Sequence, residues 1–117
     1  MSEIINLASV EEARSIMQDK FPLMIEYFLE DTSTYMNSIN EGLAANDAEK
    51  VQSPAHTIKS SAAQIGADKV SNLAKQIEHM AKEILNGDSQ NFEEISSLFE
   101  KLKEAFAEAE PELKKLM

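Results

Sequence analysis

In four successive runs of this chain, apolar residues return every three or four positions, and no segment alternates in twos as a strand would. The runs are Phe21, Ile25, Phe28, Thr32, Tyr35, Ile39; then Val51, Ala55, Ile58, Ala62, Ile65; then Val70, Leu73, Ala74, Ile77, Ala81, Ile84; then Phe92, Ile95, Phe99, Leu102, Phe106, Ala109. Each run makes one apolar face on a helix. Only short links separate them. The pattern predicts an all-α chain: an antiparallel up-down four-helix bundle with an additional short N-terminal helix across one end.

Local signals set the expected boundaries. Ser9-Val10-Glu11-Glu12 has the form of a capping box, with Ser9 as N-cap. A helix should follow to about Asp19, with Val10, Ala13 and Met17 on one face. Phe21-Pro22 ends it, because a residue before proline resists helical angles, and Pro22 suits the first turn of a helix reaching Ala44. Leu29, Met36 and Leu43 flank that helix's stripe. Asn46-Asp47 makes a turn and an N-cap. Ser53-Pro54 interrupts the next helix, which either bends there or restarts with Ser53 as cap. In the second case His56 would sit in a first turn, at the positive end of the helix dipole. Gly66 closes this helix as a left-handed cap. Asp68 is the expected cap of the following helix, which runs to about Asn86. Asn91-Phe92-Glu93-Glu94 looks like a second capping box, and Pro111 should end or kink the last helix.

The Val51–Ile65 helix carries an unusual surface. At roughly 100° per residue, His56 lies about 140° from the centre of the apolar stripe, Ser60 about 180°, Ala63 about 120° and Lys59 about 80°. His56 therefore points to water. Its own face holds a hydroxymethyl and a methyl where a solvated helix normally carries long charged side chains. A histidine serving a small molecule needs a concave pocket. One on bare convex ground can be reached by another protein's active site. Neutral imidazole, with a reference pKa of about 6.5, is a competent nucleophile near neutral pH. With Lys59 one turn on, these residues suggest a phosphoryl carrier. His79 is the control: Lys75, Lys82 and Glu83 crowd it, and it reads as an ordinary surface residue.

At these residues the chain resembles the histidine phosphotransfer (HPt) domains of multistep phosphorelays. The matching positions are His56, Lys59, Ser60, Ser61, Ala62, Ile65 and Gly66. The pattern continues through Ala67-Asp68 to Val70, Leu73, Ala74, Ile77 and Glu78. Many members have Gly where this chain has Ser60; Ser is small enough for function to survive, and the change bears on the choice of docking partner. The resemblance implies a helical bundle in which His56 is phosphorylated, by its Nε2, from a receiver-domain phospho-aspartate. It implies that Lys59 offsets phosphoryl charge, that Ser60 and Ala63 leave room for the partner and that Gln64 touches it. Docking across two adjacent helices would bring Phe28 or its neighbours into play. The expected partners are receiver domains of a hybrid sensor kinase or a response regulator. No cofactor or metal is expected on this chain, since Mg²⁺ belongs to the receiver.

The remaining composition narrows the classes. A formal charge of −10 argues against nucleic acid and against anionic membrane surfaces. Between Lys50 and Lys82, however, five lysines face two acids, leaving a mildly basic island round His56 in an acidic chain. There is no cysteine, and no apolar run approaches the roughly 18 residues needed to span a bilayer. We therefore expect one domain over residues 1–117, cytoplasmic and monomeric, with its apolar faces used up by the bundle. The starting Met1 and short ends favour a free-standing protein over a piece of a hybrid kinase. Without a Gly-rich nucleotide loop, ATP-dependent kinase activity is not expected. Two alternatives belong to other classes. One is a docking module that binds a response regulator without phosphorylation. The other is a hydrolase or metal site using His56, disfavoured because no metal-ligand spacing is present and His56 has no carboxylate at i±3 or i±4.

Overall fold

The computed structural model describes residues 4–88 and 90–117. Helix α1 spans Leu7–Met17, and a 3₁₀ turn at Gln18–Lys20 leads into α2, Phe21–Ala44. Helices α3, Ala48–Ile65, α4, Asp68–Leu85, and α5, Phe92–Lys114, complete the chain. Neighbours in sequence are neighbours in space. α3 packs on α2 and α4, α5 packs on α4 and back on α2, and the diagonal pairs do not meet among the described residues. That is an up-down bundle of four helices, with α1 laid across α3 and α2. Among the described residues no helix is long and apolar enough to cross a membrane. Met1, from which a free-standing protein was expected, lies with Ser2 and Glu3 outside the described residues.

The core is the four predicted stripes brought together. Phe21, Ile25, Ile39, Val51, Ile58, Ile65, Val70, Ile77, Ile95 and Leu102 are all but completely buried. Burying such side chains stabilises by about 1.5–3 kcal/mol each. Ile84 and Phe92, at the ends of their stripes, and Tyr35 within its own lie only partly buried. Thr32 is buried within its stripe, and its Oγ1 has no hydrogen-bond partner.

Two boundary expectations change, and two open choices are narrowed. Asn6, not Ser9, caps α1: its Oδ1 accepts from the N–H groups of Ala8 (3.1 Å) and Ser9 (3.3 Å). The reason is tertiary. The Asn6 N–H donates to the Gly66 carbonyl at 2.7 Å, and its Nδ2 donates to Asp68 Oδ2 at 2.9 Å. Asp68 is accordingly the first residue of α4 rather than its cap, a place where a carboxylate favours the helix dipole. At both prolines the helix continues, which excludes a restart at Pro54 and an end at Pro111. α3 runs unbroken from Ala48 through Pro54, so it does not restart, and His56 sits mid-helix rather than in a first turn. α5 continues through Pro111 to Lys114. There the proline forfeits only the bond to the exposed Ala107 backbone, while Leu113 beyond it is fully buried and holds the last turn down.

Gly66 ends α3 as expected, with φ 85° in the left-handed region. A Cβ there would also lie 2.7 Å from the Asn6 carbonyl oxygen. The tight turn between Ile65 and Asp68 makes α3 and α4 an antiparallel hairpin, and this hairpin builds the site.

Candidate functional site

Folding back at Gly66 brings His56 of α3 level with Glu78 of α4. The carboxylate of Glu78 is only 4% exposed, whereas the imidazole of His56 is 57% exposed. The two meet through His56 Nδ1 and Glu78 Oε2 at 2.6 Å. Lys59, one turn along α3, donates its Nζ to the other oxygen, Glu78 Oε1, also at 2.6 Å. Lys82, one turn along α4, places its Nζ 3.4 Å from Oε2. Gln52 Nε2 reaches the same oxygen at 3.5 Å. Ser71 Oγ donates to the Lys59 carbonyl at 2.8 Å and ties the two helices together beside the cluster.

The electrostatics settle which nitrogen of His56 carries the proton. Burial by itself pushes the Glu78 carboxyl up. Hydrogen bonds from Lys59 and His56 and the charges of Lys59 and Lys82 outweigh that cost and hold it at about 2, against an ordinary 4.5. At neutral pH Glu78 is therefore an ionised acceptor with no proton to give. His56 Nδ1 must be the donor. In the neutral ring the lone pair then lies on Nε2, the nitrogen not committed to Glu78. The arrangement yields a nucleophile of defined tautomer on an exposed helix face.

The other expected site residues fall into three places. Ser60 and Ala63 are exposed along the His56 face and, being small, leave it open. Gln64 is exposed farther along and borders two apolar hollows. The first, about 410 Å³, lies between α2 and α3 and is lined by Leu23, Met24, Tyr27, Phe28, Thr57 and Ser61 among others. The second, about 430 Å³, lies between α1 and α3, with Ile16, Met17 and Ala63 on its walls. Lys59 is not simply free beside the ring: its ammonium is engaged by Glu78. His79 is not brought to the site and pairs on its own helix with Glu83. Among the described residues no three His, Asp or Glu side chains gather as a metal ion would require.

Sequence reasoning gave no role to Glu78 or Lys82. The first omission had a readable signal. On the α4 wheel Glu78 falls about 40° from Ala74, inside the apolar stripe, and a carboxylate there needs partners from the facing helix. Lys82 follows at i+4, the favourable order for a Glu–Lys pair. The expectation that the bundle uses up the apolar faces holds for the stripes but not for the flank: Ile16, Leu23 and Tyr27 are exposed.

The comparisons agree with this picture. The Hpt domain profile matches residues 23–112, more than half of the chain. The fold is similar to the crystal structure of the histidine-containing phosphotransfer protein HptB from Pseudomonas aeruginosa PAO1. The TM-score is 0.88 at 20% sequence identity, over 98% of this chain and 95% of that one. None of the curated proteins matches the sequence. Hpt domains as a family are phosphoryl carriers rather than kinases and work with receiver domains. On the extent of the profile match and the shared helical fold, this chain belongs to the Hpt domain family.

Proposed function

We propose that this chain is a phosphorelay intermediate in which His56 carries a phosphoryl group between the aspartates of two receiver domains. One observation carries the reading: Nδ1 of an exposed imidazole is held by a buried carboxylate, so Nε2 is left outward with its lone pair. A receiver bearing phospho-aspartate docks over α2 and α3, its apolar surface on the exposed Leu23 and Tyr27 and its edge against Ser60, Ala63 and Gln64. Nε2 attacks phosphorus in line. The P–N bond forms as the P–O bond to aspartate breaks, and the carboxylate leaves with the electron pair. The Nδ1 proton stays on the ring, where Glu78 stabilises the positive charge that develops. Lys59 offers its remaining N–H donors to the phosphoryl oxygens. Reversal with a second receiver returns the group to an aspartate. Mg²⁺ and the acceptor carboxylate belong to the partner, and the chain itself is a carrier without kinase activity.

The test is transfer of ³²P from a labelled receiver domain to this protein beside its His56→Gln variant. Acid-labile, base-stable label present on the wild type and absent from the variant is the expected result. Binding without any label would reduce the chain to a docking module for response regulators.

A further inference from the structure

Resting on the reading of His56 as phosphoryl acceptor, we propose that Lys82 is a positioning residue that shares the charge of Glu78 with Lys59, so that Lys59 can also serve the phosphoryl group. The argument begins with the carboxylate. Glu78 is buried and ionised, and leaving it without a cation is costly. Without Lys82, Lys59 would have to balance that charge alone. Its Nζ sits 2.6 Å from Oε1, so its one positive charge would be divided between the carboxylate and a phosphoryl group on Nε2.

Lys82 changes the balance. It approaches from the opposite helix and the other oxygen, Oε2, at 3.4 Å, beside His56 Nδ1. The two carboxylate oxygens are thus divided between the two cations. The groups facing Glu78 are Gln52, His56 and Lys59 from α3 and Lys82 from α4. With a neutral imidazole, this cluster carries one positive charge in surplus. Transfer from an acyl phosphate adds a PO₃ unit of one net negative charge, with the Nδ1 proton retained. The phosphorylated cluster is then neutral. Without Lys82 it would begin neutral and end negative around a buried carboxylate.

The experiment phosphorylates His56 with phosphoramidate, a small donor that loses ammonia as the P–N bond forms. It then follows the phosphoryl protonation midpoint by ³¹P NMR in wild type, Lys82→Gln, Lys82→Arg and Lys59→Gln. Loss of Lys82 should favour the protonated phosphoryl group by roughly two- to fivefold, an upward shift of about 0.3–0.7 pH units that shrinks in high salt. Lys82→Arg should restore the wild-type midpoint. Equilibrium transfer from a labelled receiver should fall by a similar factor in Lys82→Gln. Because Lys82 is exposed, folding is not at stake. A midpoint unmoved by Lys82→Gln but moved by Lys59→Gln would overturn the proposal and leave Lys82 a surface lysine. Absence of phosphoramidate label at His56 would overturn it too. Since the donor is not a protein, failure of every receiver to transfer would sink the relay reading alone.

Discussion

The two histidines of this chain both touch a glutamate, and they are otherwise opposites. His79 is 75% exposed and meets Glu83, one turn along its own helix and itself well solvated, at 3.2 Å. His56 meets Glu78 across a helix hairpin at 2.6 Å, and that carboxylate is buried. In the first pair water competes for every donor and acceptor, so the contact constrains little. In the second the acceptor has no alternative partner in solvent. Burial pushes the Glu78 carboxyl up; hydrogen bonds from Lys59 and His56 and the charges of Lys59 and Lys82 outweigh it and keep the group ionised, and it then dictates the tautomer of the ring. A carboxylate beside a histidine is therefore uninformative until its own burial and counter-charges are known.

That contrast can be broken or sharpened in several ways. The largest effect is expected on labelling itself. His56→Gln should abolish phosphoryl transfer from a receiver, while His79→Gln should leave it intact; a ³²P transfer assay with both variants decides. Next comes acid stability. Because Glu78 titrates at about 2 in the folded protein against an ordinary 4.5, its contribution is fully present above about 4.5 and is lost as pH falls towards 2. Urea unfolding over that window should show up to about 3 kcal/mol of stability lost, and the loss should be flattened in Glu78→Gln but not in Glu83→Gln.

Transfer rates should move by a smaller factor. Glu78→Gln keeps the shape but loses a charge-assisted hydrogen bond, and should slow single-turnover transfer roughly tenfold or more, whereas Glu83→Gln should not change it. Equal slowing in both variants would mean that general acidity, not the tautomer lock, matters at this surface. The smallest effect belongs to the exposed pair. A double-mutant cycle with His79→Ala and Glu83→Ala should return a coupling below about 0.5 kcal/mol, fading as salt is raised.

Much of the architecture was legible because helix periodicity is a local property. The four stripes predicted the four buried faces, and Gly66 marked the sharp turn that pairs α3 with α4. His56 and its bare neighbours were legible for the same reason: the wheel places them on one solvent face. Capping at Ser9 was misplaced because Asn6 gains contacts to Gly66 and Asp68 that no local motif contains. At Pro111, where the sequence allowed an end or a kink, the helix continues because buried Leu113 outweighs one forfeited bond to an exposed carbonyl.

The sequence by itself thus determined the helices, their apolar faces, the hairpin turn and the exposure of the His56 ring, each resting on residues within one or two turns of one another. Only the tertiary structure decided what that ring is attached to. His56 and Glu78 stand 22 positions apart, and their contact exists because the antiparallel packing of α3 on α4 puts them at one level. The ionisation of Glu78, the engagement of Lys59 and Lys82, and the apolar hollows between α1, α2 and α3 arise the same way. They depend on which faces meet across helices, where burial and facing charges set the chemistry of a group whose neighbours in the chain are silent about it.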